Sequence, residues 1–267
     1  MSYFMDKIKI ALCIEYNGKN FYGWQKQKKF RNTVQENVES VLSIIAKHTV
    51  KIFGSGRTDS GVHSIGQIAH FYTNSKRNIS DWVKGSNFYL PKDISIKWAM
   101  QVPFYFHAKN SALFRHYKYV IYNKKYRTSI FKNLSLHVNN ILDIDLMNFS
   151  GKFLIGENNF FSFKSKGCQS LSNYRNVIYF NVYRLGSLVI IDIIANSFLY
   201  NMVRNIVGCL IDIGKYKKDK FYIKNLLKIK IKKMSFKASS SGLYLFHVYY
   251  PPIFNFPKFD NNFNVFF

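Results

Sequence analysis

"KIFGSGRTDSGVHSIGQIAHF", Lys51 to Phe71, is the stretch on which the reading of the fold turns. An apolar strand-like run breaks at Gly54-Ser55-Gly56, presents Arg57-Thr58-Asp59, turns again at Ser60-Gly61 and resumes as a strand. Glycine reaches backbone conformations that other residues resist. Two glycines before a single acid and one after it describe a loop that displays the acid. Asp59-Ser60-Gly61 is equally ordinary turn chemistry, since Asp bonds its own backbone and Gly tolerates positive φ. Two nucleotide-binding patterns fail. No Gly-Lys-Ser/Thr follows at phosphate-loop spacing, and Asp59 occupies the third glycine position of a dinucleotide fingerprint. The loop offers a carboxylate and a guanidinium two residues apart. If strand alternation carries through the loop, Arg57 and Asp59 share a face, and the cation favours the ionised acid by lowering its pKa.

Outward from this loop, the pattern is α+β. "KIKIALCIEY" alternates, with Ile8, Ile10, Leu12, Ile14 and Tyr16 on one face of a strand. Thr33-x-x-Glu36 is a capping box that opens a helix striped by Val34, Val38, Val41, Leu42 and Ile45. "VKIFGSG" and "GQIAHFYT" are strands, so the first third reads β-α-β-β. A second sheet pattern follows: the strand "HYKYVIYN", then a hairpin "NVIYFNVYRLGSLVIIDIIA" turning near Leu185-Gly186. A helix is expected from Ser197 to Gly214, then the short basic helix "FYIKNLLKIKIKK" and a closing strand in "GLYLFHVYYP". The tail "IFNFPKFDNNFNVFF" carries no clear pattern. The expected architecture is two mixed or antiparallel-sheet domains, residues 1–107 and 108–267, with helices on one face and a cleft between them.

The 267 residues carry 39 Lys plus Arg against 14 Asp plus Glu, a net +25 that calls for a polyanionic partner, nucleic acid before an anionic membrane. The abundant Lys, Asn, Ile, Phe and Tyr share A/T-rich codons, so codon bias inflates both charge and aromatic content. Cys13, Cys168 and Cys209 are scattered and odd in number, which indicates neither a disulfide framework nor a zinc site and points to a cytoplasmic protein. The N-terminus lacks a signal-peptide layout, and no apolar run reaches spanning length.

Three groups of residues could carry chemistry. Asp59 with Arg57 comes first. Arg204 lies at the edge of a broad apolar arc on its helix, with Gly208 leaving space one turn on; it is either a boundary Arg with a wetted head or a buried cation held against a carboxylate. "FHAKNSALFRHYKYVIYN", Phe106 to Asn123, interleaves Lys109, Arg115, His116 and Lys118 with Tyr117, Tyr119 and Tyr122. Core packing and an aromatic platform with cations on phosphate both fit this segment. His63 and His70 lack further ligands for a metal. Ser55, Ser60 and Ser64 lack the His/Asp partnership of a serine hydrolase.

"GSGRTDSGVHSIGQIAHF", "FHAKNSALFRHYKYVIYN", "FFSFKSKGCQSLSNYRNV", "NSFLYNMVRNIVG" and "GLYLFHVYYP" follow the order and spacing of the bacterial tRNA pseudouridine synthase A family, which the chain resembles from about Ile8 to Pro251. The resemblance implies isomerisation of uridine to pseudouridine at positions 38 to 40 of the tRNA anticodon stem-loop, by a homodimer without cofactor or metal. It matches the essential acid to Asp59, the base-stacking tyrosine to Tyr117 and the active-site arginine to Arg204. It places Arg57, Arg77, Lys109, Lys125 and the segment Gly167, Cys168, Gln169, Ser170 and Leu171 where relatives contact tRNA. Phe106, His107, Ala108 and Asn110 join the substrate-binding set. Departures from the family are Ser60 in place of Ala, Leu113 and Phe114 in place of smaller or basic residues, and the absence of a proline in "KASSSGLYL".

In that reaction the C1′–N1 bond breaks, uracil rotates and C5 bonds C1′. One carboxylate either attacks a carbon or removes a ribose proton; the residues do not choose. The Tyr117 hydroxyl is expected to take part in moving the C5 proton. A noncatalytic RNA-binding module is the alternative reading, disfavoured by an acid beside RNA. A hydrolase using Asp59 and a histidine is more remote.

Overall fold

The structure is a computed structural model, describing residues 7–28, 30–229 and 236–258. In chain order, the elements of the first half are β1 (Ile8–Tyr16), α1 (Val34–Ala46), β2 (Ile52–Gly54), β3 (His63–Thr73), α2 (Ile79–Tyr89) and β4 (Ile94–Val102). The second half adds β5 (Phe114–Tyr122), β6 (Leu136–His137), α3 (Ile144–Gly151), β7 (Gly156–Asn159), β8 (Tyr174–Leu185), β9 (Leu188–Ala195), α4 (Met202–Gly214), α5 (Tyr222–Lys228) and β10 (Leu243–Tyr249). The class is α+β, as expected. The two sheet patterns form one continuous sheet in the order β4-β1-β3-β10-β5-β9-β8-β7, with β2 on β3 and β6 on β5.

The register explains why the helices share a face. Tyr16 lies opposite Ser64, Ser64 opposite Leu245, and Leu245 opposite Tyr117. Directly opposed residues project to the same side of a sheet, so this row joins the inward faces of both halves. In the first half, Ile10, Leu12, Ile14, Ala69 and Phe71 pack under α1 and Trp82 of α2. In the second, Tyr119, Ile121, Ile191 and Ile193 pack under Val203, Ile206, Val207 and Leu210 of α4. The opposite face is covered by irregular chain. Phe106 and Phe254 close it beside β1, and Phe131 packs against Val120, Ile190 and Phe246.

Local chemistry fits most elements. Thr33 accepts the Glu36 N–H as the α1 cap, while the Glu36 carboxylate takes the N–H of Asn32 instead of Thr33's own, so the expected capping box is half formed. The hairpin turns at Gly186, whose φ is 55°. The α4 helix begins at Met202 and not at Ser197. Asn201 takes a left-handed conformation (φ 61°) that no helix path accommodates, and its side chain donates to Ser165. The strand β4 and the helices α2 and α3 escape the sequence pattern. In α2 only Trp82 and Ser86 are buried, too few to mark a stripe. Residues 230–233 of the expected basic helix, and residues 259–267 of the tail, lie outside the described residues.

Two basic residues of the Phe106–Asn123 segment turn inward to an acid. His116 and Lys118 both donate to the Asp192 carboxylate, and all three are buried. Burial works to raise the Asp192 pKa, and its contacts with His116 and Lys118 overcome it and bring it below the usual range. Its ionised form therefore contributes stability above the ordinary Asp value and loses it as pH falls through the lowered folded value. Asp192→Ala leaves Lys118 buried without its carboxylate and should cost about 3–5 kcal/mol near neutral pH. Urea denaturation checks this, with the gap to wild type narrowing on acidification.

Candidate active site

The Asp59 loop is shaped by close approaches and one strained turn. A side chain at Gly54 would strike the Trp24 ring at 2.6 Å. Gly61 sits at φ 77°, with Ser240 Oγ 2.6 Å from where a Cβ would be. Gly56 meets neither demand, so the expectation that all three glycines free the backbone holds for Gly61 alone. The loop is tied down from several sides. Thr58 bonds Tyr16 Oη at 2.8 Å, the Thr58 carbonyl accepts the Trp24 N–H at 3.0 Å, and Gln67 donates to the Gly56 carbonyl at 2.9 Å. Ser60 donates to the Phe21 carbonyl.

The cation beside Asp59 is Arg204, with Nη1 3.5 Å from Oδ2. The Arg204 side chain is 12% exposed and that of Asp59 28%, so the buried-cation reading applies and the boundary reading does not. Arg204 is aimed by its surroundings: Nε donates to the Ala238 carbonyl at 2.8 Å and Nη1 to Asn201 Oδ1 at 3.1 Å. The space expected at Gly208 is filled, because a Cβ there would lie 1.8 Å from the Phe236 carbonyl oxygen. Arg57 does not share this pair; it reaches across to Gln169 Oε1 at 2.8 Å. Burial raises the Asp59 pKa above the usual carboxylate range, against the charge and hydrogen bond of Arg204 and the charge of Lys237. The sequence expectation of a lowered value is therefore reversed, because desolvation outweighs the cations.

Tyr117 lies on β5, 8% exposed, with its ring edge-on to Phe198 at 5.0 Å. Burial first, then the negative charges available to Tyr16 and Asp59, push its hydroxyl well above the ordinary tyrosine value. Tyr16 lies in the same cross-sheet row, about 14 Å away across three strand spacings. Tyr16, Phe198, Asn201 and Lys237 were not singled out from the sequence. Tyr16 did carry a signal, as the last inward residue of a strand entering a loop; Lys237 carried none.

The other expected contacts divide. Gly167 (φ 79°), Gln169 and Leu171 are exposed and Cys168 and Ser170 partly so, and Gln169 joins this segment to Arg57. Lys109 and Asn110 are exposed. Phe106 and Ala108 are both 0% exposed, Phe106 inside an aromatic cluster with Tyr250, Phe254 and Phe256, and Ala108 against His70. His107 is half-buried, its Nδ1 accepting from the N–H groups of Lys109 and Asn110. Arg115 donates to the carbonyls of Ser55, Lys109, Ala112 and Asn196, which uses its fork as a structural bracket and not on phosphate. Arg77 stands past the far end of β3 from the Asp59 loop, and Lys125 lies beyond β5 over the Tyr126 ring, so neither joins Asp59. Among the described residues no cluster of His, Cys, Asp or Glu is placed to hold a metal, and no helix is long and apolar enough to cross a membrane.

Known proteins resemble this arrangement in sequence. The pattern described as tRNA pseudouridine synthase (PseudoU_synth_1) matches residues 12–109 and 152–251. The tRNA pseudouridine synthase A of Buchnera aphidicola subsp. Baizongia pistaciae is 51% identical over 255 residues, covering 95% of this chain and 96% of its own length. That of Aliivibrio fischeri strain MJ11 is 44% identical over 252 residues, covering 94% and 96%. A solved Cbf5-Nop10-Gar1 complex overlays 76% of this chain and 45% of its own at 13% identity and a TM-score of 0.33, too loose a likeness to bear on function. With the family pattern lying across both halves and relatives aligned over nearly the whole length, the chain belongs to the tRNA pseudouridine synthase A family.

Proposed function

We propose that this chain isomerises uridine to pseudouridine in tRNA, at positions 38 to 40 of the anticodon stem-loop. The observation that carries the reading is the Asp59–Arg204 pair, in which a loop of the first half meets a helix of the second on the inward face of the sheet. Membership in a family of named synthases supports it over a noncatalytic RNA-binding module. Asp59 acts on the target nucleotide, Arg204 holds and balances it, and Tyr117 stacks on the extruded uracil. Unstacking that nucleotide costs a few kcal/mol, which an aromatic face and basic surroundings offset. Arg57, Lys109 and the Gly167–Leu171 segment contact the RNA near the cleft; Arg77 and Lys125 contact it further out. Residues 1–107 and 108–267 act as the two halves of the cleft, and the protein works in the cytoplasm as a homodimer.

Asp59→Asn should abolish pseudouridine formation on unmodified tRNA, mapped by chemical labelling, while tRNA binding survives. Wild-type activity should fall on the acid side through a pKa above the ordinary Asp range, because burial raises it. The sign for stability is opposite. The unfolded chain releases this proton first as pH rises, so ionising Asp59 costs stability from the ordinary Asp value upward, fully above the raised folded value. The Asn variant should therefore melt no lower than wild type at neutral pH.

For tRNA affinity, log K should fall linearly with log salt, as phosphate contacts release counterions. A flat response would leave the +25 charge to codon bias.

Tyr117→Ala should slow single-turnover conversion by the stacking it removes, about 1–3 kcal/mol per base. A phenol held neutral moves a proton by giving one as it takes one. Tyr117→Phe should therefore fail as badly as Ala if the hydroxyl serves the C5 proton, as we expect. Near-normal rates in both, with unchanged circular dichroism, would return Tyr117 to the core.

A further inference from the structure

At the far end of α4 from Arg204, three phenylalanines from separate segments meet at the surface. Phe149 of α3 and Phe153 lie 5.5 Å apart, and Phe221, just before α5, is 5.8 Å from the first and 5.9 Å from the second. Phe149 and Phe221 are exposed. Two lysines are seated on this triangle. Lys220 Nζ lies 5.4 Å from the Phe149 ring and 5.3 Å from Phe221; Lys224 Nζ lies 5.2 Å from Phe153 and 5.8 Å from Phe221. Lys218 sits 5.0 Å from the Tyr222 ring. Ser150 Oγ donates to the Lys220 carbonyl at 2.8 Å and fixes the segment against α3.

Among the described residues these cations have no acidic partner. None of the ion pairs among the described residues reaches Lys218, Lys220 or Lys224. Of the acids close in sequence, Asp219 accepts the Phe221 N–H, and Asp145 stands one turn before Phe149. A lysine on a solvated face ordinarily sweeps many rotamers. Ring contact attracts the ammonium and restricts it, and a side chain ordered beforehand loses less entropy on binding. An ammonium so held keeps donors for an oxyanion.

We propose that the surface of Phe149, Phe153, Phe221, Lys220 and Lys224 is a second RNA contact, gripping the phosphate backbone of tRNA outside the stem-loop that enters the cleft. The inference rests on the reading that tRNA is the substrate. Its place supports it. The Lys217 and Lys218 N–H groups bond the Asp212 carbonyl near the end of α4, eight residues or about 12 Å along that helix from Arg204. The patch lies in the same helical layer as Arg204, on α3 and the start of α5, which pack beside α4. Contacts to phosphate position a nucleic acid without reading sequence, which suits a site for the body of many tRNAs.

The test is the double variant Lys220→Glu/Lys224→Glu, with Lys220→Gln/Lys224→Gln as the milder pair. Fluorescence anisotropy gives Kd for full-length unmodified tRNA and for an isolated anticodon stem-loop across a salt series. For full-length tRNA, Kd should rise about tenfold or more, and the slope of log K against log salt should shrink by about 2, near 0.9 per lost phosphate contact. The stem-loop's Kd, its single-turnover rate and the thermal melt should be unchanged. Equal weakening of both RNAs, or of neither, overturns the proposal. So does a loss confined to phosphatidylserine vesicles, which would make the patch a membrane contact. If wild type discriminates the two RNAs through these lysines yet forms no pseudouridine, the functional reading fails and this contact stands.

Discussion

Two residue pairs join the strands of the two halves into one sheet. β10 runs parallel to β3 only through Tyr244 with His63 and Leu245 with Ser64, while its other edge pairs antiparallel with β5. Without that strand, the loop bearing Asp59 and the strand bearing Tyr117 would belong to separate sheets with no fixed relation. His63 reinforces the seam. Its Nδ1 accepts the Gly18 N–H at 3.1 Å, and Nε2 faces the carbonyls of Asn133 and Ser241 at 3.0 and 3.2 Å. Two carbonyl partners make Nε2 the protonated nitrogen, and burial lowers the pKa so that the ring stays neutral. The histidine of the Asp59 motif is therefore a structural tie and not a proton shuttle.

The chain leading into β10 does a second job. Residues 236–241 cross α4 at Gly208, pair with Arg204 in both directions (the Ala238 N–H to the Arg204 carbonyl, Arg204 Nε to the Ala238 carbonyl) and pass under Gly61 by way of Ser240. Tyr119 donates to the Ser239 carbonyl at 2.7 Å and pins the crossing to β5. One strap thus touches the loop of the acid and the helix of its cation. The 3.5 Å separation between Asp59 and Arg204 is set by backbone contacts, not by two long side chains finding each other.

The parts legible in the sequence are those where a single segment holds its own information. Alternation marked β1, β3 and β5, the apolar stripe marked α1, and the glycine-framed acid marked the loop. What stayed hidden depends on partners distant in sequence. Nothing in "FHAKNSALFRHYKYVIYN" says that Arg115 will spend its fork on four carbonyls, or that His116 and Lys118 will point at Asp192. The side of the sheet on which each cation emerges is decided by register, and register here is fixed by strands some 70 residues and more away. The direction of the Asp59 pKa was hidden for a related reason. Neighbouring charge can be guessed from a motif, but burial by other segments cannot.

Because the seam is made by the last described strand, the order of synthesis matters. The first half has its own core under α1 and α2 and can close as soon as β4 has emerged from the ribosome. It then carries Asp59 without Arg204, without Tyr117 and without the strap. A chain interrupted before Leu243 would present the acid in a half-built site, with His63 and Ser64 of β3 lacking their β10 partners. The acid, its cation and the tyrosine are thus brought into one site only when the final strand has threaded between β3 and β5.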